Sequence, residues 1–377
     1  MKRLSIFLCL IFAAAVARAQ LANPQGQTSA GRALASVDGP KPGNTSPGPN
    51  GLAPTWDTQK HARTYVLNIP APRGQIVDRN GNPLAQTRVS YNLAIVFPTP
   101  TTFSDAEVMK YTEPQIMLAR RITGRAISVT QDLLLKHYKN RGVLPLVIAQ
   151  DLKPDEIEAF NRQKPETLTL LPTYQRFYPN GPLAGHIIGY AGRTGRIPDG
   201  PIQNNEVLWP GAEGREGLEQ TFDDQLQGKE GQFNIAFDAS GRKASEQVVI
   251  PPQPGYNVVT TIDEELQRLC EQTLEKSVKR GAIVILDPNN GDILAMASWP
   301  TINPNWFIPN ISAEAFKALN DDPQIPLLPR AFRSAYPPGS TFKVPVGIAA
   351  MQEHVIETDT EFSCPSSMEI GKIVFRN

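Results

Sequence analysis

Three cysteines and four histidines in 377 residues leave little material for a metal site or a disulfide framework. Cys9 falls in an apolar N-terminal stretch, and the spacing of Cys270 and Cys364 suits no zinc motif. Net charge is lacking too. The 37 basic residues are balanced by 37 acidic ones, which gives no support to nucleic-acid binding through a global basic charge. The longest apolar run, Leu4 to Ala17, is short of the roughly 20 residues that a spanning helix needs. Proline, by contrast, is plentiful: 35 residues point to a loop-rich chain with an extended tail.

The N-terminus reads as a secretory signal, residues 1–19. Lys2 and Arg3 form its charged region, and Ala17-Arg-Ala19 is a small-residue cleavage site before Gln20. The reading favours cleavage, with a short retained anchor as the alternative. Either outcome exports the folded part, to the periplasm or the outer face of the cytoplasmic membrane. Residues 20–58 are rich in Pro, Gly, Ser and Asn without a sustained apolar period, the pattern of a flexible linker.

Two folded modules are expected, over 59–250 and 255–377. In the first, Ser90–Phe97 reads as a strand, and Glu113–Ile122, Thr130–Tyr138 and Asp151–Arg162 as helices, with Pro114 and Pro154 in first turns. Arg73, Asp78 and Arg79 are expected to form a charge network bracing a tight Asn80-Gly81 turn, and His186 to be a packed core histidine. In the second module Thr261-Ile-Asp-Glu264 spells a capping box. Ile262, Leu266, Leu269, Cys270, Thr273 and Leu274 would line one helix face, with Cys270 buried. Ile283–Leu286 and Ile293–Ala297 then predict a hairpin turning at Asp287-Pro-Asn-Asn-Gly291. Trp299–Pro309 reads as an aromatic, proline-rich packing loop, and Asp359–Asn377 as a loop and strand.

The most informative stretch is Tyr336-Pro-Pro-Gly-Ser-Thr-Phe-Lys343. Prolines and a glycine resist helix just before Ser340, and a mostly apolar run follows Lys343. On a helix, positions three apart share a face, so the amine of Lys343 can reach the hydroxyl of Ser340. A serine needs a neighbouring base to become a nucleophile, and a lysine of lowered pKa can be that base. The competing reading is structural: a serine after Pro-Gly is commonly a helix N-cap. Ser-x-x-Lys also arises by chance about once in a chain of this length. A second copy, Ser240 to Lys243, sits in a polar stretch and reads as an exposed loop. Pro345, read as lying just past the first helical turn, threatens a lost hydrogen bond and a kink.

Several segments, in a shared order, resemble the class B penicillin-binding proteins. Ala71-Pro-Arg-Gly-Gln-Ile-Val-Asp-Arg-Asn-Gly-Asn-Pro-Leu-Ala85, Arg176-Phe-Tyr-Pro-Asn-Gly-Pro-Leu-Ala-Gly-His186 and Gly214-Arg-Glu-Gly-Leu-Glu219 are similar to motifs of that family's N-terminal dimerisation or pedestal module. Gly255–Asp263, Gly281–Pro288 and Gly291–Ser298 resemble the start of its transpeptidase domain, and Tyr336–Lys343 its active-serine motif. The resemblance implies an α+β fold: an extended pedestal module over 59–250, then the first part of a penicilloyl-serine transferase domain over 255–377. It implies a peptidoglycan D,D-transpeptidase working through an acyl-enzyme, with Ser340 as nucleophile and Lys343 as its base. Its partners would be peptidoglycan stem peptides, β-lactams and membrane proteins of cell-wall synthesis, with no cofactor, metal or nucleic acid.

The family's Ser-x-Asn and Lys-Thr-Gly motifs do not follow Lys343 in this sequence. The chain is therefore expected to be C-terminally truncated and inactive as it stands. The apolar positions Phe342, Val346, Ile348 and Met351 would then face water. The alternative function is a non-catalytic cell-wall interaction protein built on the pedestal module.

Overall fold

A computed structural model describes residues 20–22, 63–195 and 197–376. The expected signal sequence lies outside the described residues, as does the expected linker except for Gln20–Ala22, a short strand antiparallel to Asn257–Val259. The fold is mixed α and β. It forms two compact units, one running to Phe332 and one starting at Arg333.

The spine of the first unit is the 13-residue strand Pro83–Ile95, antiparallel to Leu168–Phe177 from Gln86 opposite Phe177 to Ile95 opposite Leu168. It starts earlier than the expected Ser90, because pairing with the second strand organises Gln86–Val89 as well. Pro83 is its first residue, where a missing N–H costs no ladder bond. Three helices, Asp105–Thr123, Gln131–Arg141 and Pro154–Gln163, pack against the far end of this pair. Leu93, Ile95, Val108, Leu134 and Leu168 form their common core, and each such aliphatic side chain stabilises the fold by about 1.5–3 kcal/mol.

The first of these helices starts two turns before the expected Glu113. Ser104 and Glu107 make a reciprocal capping box, a signal upstream of the apolar period. Pro114 accordingly sits in the helix interior rather than its first turn. The carbonyl it strands, at Lys110, is on the exposed side, where water can bond it.

The first family-like motif is tied to distant chain by a parallel pair, Val258 opposite Ile76 and Val259 opposite Val77. The approach is close: a Cβ on Gly74 would lie 1.9 Å from the carbonyl oxygen of Tyr256, so only glycine fits. A second sheet joins Arg63–Ile69, Gly231–Phe237 and Lys243–Ile250.

Helix Glu264–Ser277 lies on the hairpin Gly281–Leu286 and Ile293–Trp299, whose turn is at the expected place. The capping box expected from Thr261 is not formed. Asp263 is the N-cap, accepting from the N–H groups of Glu265 and Leu266, while Thr261 donates to the Ile293 carbonyl. The buried face is also rotated from the expected one. Leu269 is 59% exposed and Thr273 is exposed, whereas Gln267, Cys270, Glu271 and Leu274 are buried. Two polar residues occupy core positions there, which an apolar count misses. In the Trp299–Pro309 segment a 3-10 turn, Pro304–Phe307, stacks Phe307 on Tyr190 with centroids 3.9 Å apart.

The second unit holds a 3-10 turn, Gly339–Phe342, helix Lys343–Gln352, and a hairpin of Ser367–Ile370 with Ile373–Arg376. The expected single C-terminal strand is thus two.

Candidate active site

Gly339, with φ +56, turns the chain after Pro337-Pro338. The 3-10 turn that follows carries Ser340, and the Lys343 N–H donates to the Ser340 carbonyl. In a 3-10 turn residues three apart eclipse each other, so the two side chains leave the same side of the backbone. Ser340 is not the helix N-cap. Phe342 holds that position, without a side-chain cap bond, and Thr341, not Ser340, back-bonds to Pro338. Among the described residues, the Ser340 hydroxyl and the Lys343 amine take no part in a side-chain hydrogen bond or ion pair. Both residues are exposed, as are Phe342 (57%), Val346 (51%), Ile348 (61%) and Met351 (42%). Pro345 falls in the first turn of the helix, where an N–H has no α-helical partner within the helix, so the expected loss of a hydrogen bond does not arise.

The second Ser-x-x-Lys copy is a surface turn. The Ser240 hydroxyl donates to Asp238, and Lys243 pairs with Glu246 at the start of an exposed strand.

Behind the recurring pedestal motifs lies a buried polar network. Arg73 Nε donates to Glu219 Oε2 at 2.7 Å, and Arg176 Nε to Glu219 Oε1 at 2.6 Å. The Tyr178 hydroxyl donates to the same Oε1 at 3.0 Å, and Arg73 Nη1 is 2.6 Å from Asp223. Each of the three motifs supplies a member: Arg73, Arg176 with Tyr178, and Glu219. Glu219 is 0% exposed, so its carboxylate needs the donors from Arg73 Nε, Arg176 Nε and the Tyr178 hydroxyl. Burial and then the Glu219 charge push the Tyr178 hydroxyl far above its usual range.

Among the described residues the charge network expected around Asn80-Gly81 is not formed: no ion pair joins Arg73, Asp78 and Arg79, and Asp78 braces the turn by hydrogen bonds. Arg73 belongs to Glu219 instead. Asp78, 0% exposed, accepts from the N–H groups of Asn80 and Asn82 and from that of Glu264, at the start of the distant helix. Burial pushes Asp78 up, but bonds from Asn82, Asn80 and Glu264 outweigh it and hold the carboxyl below its ordinary range. His186 is a packed core histidine as expected, its Nε2 2.7 Å from the Pro326 carbonyl. Burial, helped by Arg330, keeps it below the usual histidine value. Cys270 is buried, and its thiol is raised by burial and by Glu271.

Sequence reasoning missed Gln267 and Glu271. Gln267 accepts from the Met296 N–H at 2.7 Å and donates to Glu271 Oε1, which also accepts from the Ala184 N–H at 2.9 Å. The available signal was a polar i, i+4 pair on the helix face that meets the hairpin. Among the described residues no group of His, Cys, Asp and Glu is placed to hold a metal, and no helix is long and apolar enough to cross a membrane.

Residues 68–260 match the penicillin-binding protein dimerisation domain and residues 281–374 the penicillin-binding protein transpeptidase domain. The chain belongs to the class B penicillin-binding proteins, in which these two domains follow each other. It is 29% identical over 316 residues to the peptidoglycan D,D-transpeptidase MrdA of Escherichia coli K12, a match covering 80% of this chain and 47% of MrdA. MrdA of Haemophilus influenzae is 30% identical over 318 residues, covering 82% and 47%. The structure resembles that of penicillin-binding protein PBP2 in complex with MreC from Helicobacter pylori, with a TM-score of 0.64 and 26% identity, covering 83% of this chain and 57% of that one. The chain spans about half the length of these relatives.

Proposed function

We propose that this chain carries the nucleophile half of a peptidoglycan D,D-transpeptidase. Ser340 Oγ attacks the penultimate D-Ala carbonyl of a stem peptide, and Lys343 takes the serine proton. The terminal D-Ala leaves as the acyl-enzyme forms. An amine of a second stem peptide then accepts the acyl group and frees the serine. β-Lactams acylate the same hydroxyl. The observation that carries this reading is the Ser340–Lys343 turn itself: the serine sits one 3-10 turn before the lysine, with its hydroxyl released from capping duty. Partial positive charge at the helix N-terminus favours the oxyanion that the attack creates. The signal-like N-terminus supports an exported protein working at the periplasmic side of the cytoplasmic membrane. There its pedestal module would meet membrane proteins of cell-wall synthesis.

Family members complete this chemistry with Ser-x-Asn and Lys-Thr-Gly, neither of which follows Lys343 among the 377 residues. Losing one oxyanion donor alone costs roughly a hundred- to a thousand-fold in rate. The test is labelling of the purified chain with a fluorescent penicillin, beside Ser340→Ala. Little Ser340-dependent label is expected. Strong label abolished by Ser340→Ala would keep the nucleophile and overturn the expected inactivity. A second reading, a non-catalytic interaction protein built on the pedestal, is favoured by the exposure of Ser340, Lys343 and the apolar positions around them.

A further inference from the structure

Arg176 and Trp209 help line a cavity of about 10 Å³ within the first unit, beside Arg73, Thr87 and Tyr174. While Arg73 Nη1 has its ion-pair contact to Asp223, two nitrogens of these lining residues are sealed from solvent and lack a partner among the described residues, Arg176 Nη2 and Trp209 Nε1. Both are donors and neither can accept. The network's acceptors are already engaged. Glu219 Oε1 takes Arg176 Nε and the Tyr178 hydroxyl, and Glu219 Oε2 takes Arg73 Nε. The Gly74 carbonyl takes Arg176 Nη1, and the Arg73 carbonyl takes the Thr87 hydroxyl. Buried donors in folded proteins nearly always find an acceptor, from protein or from ordered solvent. A polar cavity of this size holds one water-sized sphere.

We propose that this cavity is a binding site for a single hydrogen-bond acceptor of one heavy atom, a water or a halide, held by Arg176 Nη2 and Trp209 Nε1. A carboxylate or phosphate exceeds the space. Glu219 and Asp223 already offset the two arginine charges, which favours water as the resting occupant. The occupant joins Trp209 to the arginine network shared by the three pedestal motifs, so it is part of what holds the segment around Trp209 in place.

The test is solution NMR on the full chain, perdeuterated and labelled with 15N-tryptophan in halide-free buffer. The chain has four tryptophans. The Trp209 indole peak is assigned by its loss in Trp209→Phe or, if that variant does not fold, by elimination with Trp56→Phe, Trp299→Phe and Trp306→Phe. A long-lived water gives a water-to-indole NOE at Trp209. A halide gives a saturable shift of that peak on bromide titration. Either result supports the site and names its occupant. A folded protein whose Trp209 indole shows neither the NOE nor a saturable shift overturns the proposal.

Discussion

Arg73 Nε lies 2.7 Å from Glu219 Oε2, with both side chains closed off from water. Removing two charges from water costs several kcal/mol per ion, so the pair holds only because Arg176, Tyr178 and the Glu219 carbonyl share its load. Glu219→Ala would leave the buried Arg176 guanidinium without a carboxylate and Arg73 with Asp223 alone. It is expected to lower stability by about 3–5 kcal/mol, read from the urea midpoint by circular dichroism. A change below about 1 kcal/mol would show that the network is not what fastens the motifs together.

Asp78 joins the Asn80-Gly81 turn to the first N–H group, that of Glu264, of helix Glu264–Ser277. Its folded pKa is depressed, so the folded state binds the proton less readily than the unfolded chain. The stability it contributes is present above the unfolded value of about 3.9 and is lost as pH falls through the lower folded value. Asp78→Asn, which replaces one of the two acceptor oxygens by a donor, is expected to cost about 1–3 kcal/mol near neutral pH and to remove that acid-side loss. Thermal midpoints from pH 2 to 6 measure it; parallel profiles for the two proteins would refute the assignment.

Glu271 shifts the other way. Burial raises its pKa, and the bonds from Gln267 and Ala184 and the charge of Arg268 do not offset it. Between the unfolded value of about 4.3 and the raised folded value, the folded protein holds the extra proton, so stability falls as pH rises through that window. Glu271→Gln, neutral throughout, is expected to flatten this fall. The check is the midpoint of thermal unfolding from pH 4 upward, and a variant whose midpoint drops as steeply as the parent's would contradict it.

What the sequence showed plainly was local. The hairpin turn at Asp287–Gly291, the helix after Thr130 and the core place of His186 each rest on a signal carried within a few residues. The Tyr336–Lys343 turn was legible for the same reason, since proline, glycine and spacing set it without help from the rest of the fold. The partners of charged residues were not legible. Arg73 lies 146 positions from Glu219, and Asp78 lies 186 from Glu264, so only the folded sheet brings them together. Helix faces failed where polar side chains took core positions: Gln267 and Glu271 displaced Leu269 and Thr273 because each polar group found a backbone partner. The early start at Asp105 was missed for want of reading Ser104 and Glu107 as a cap.

The central claim is that Ser340 is the acyl acceptor and Lys343 its base. Continuing the chain past Asn377 with the remaining transpeptidase segment of an MrdA relative, then mapping benzylpenicillin adducts by peptide mass, tests it most directly. The account predicts the adduct on Ser340, no adduct in Ser340→Ala, and acylation slowed by about 10²–10⁴ in Lys343→Met. An adduct on another residue, or one that persists in Ser340→Ala, would contradict it.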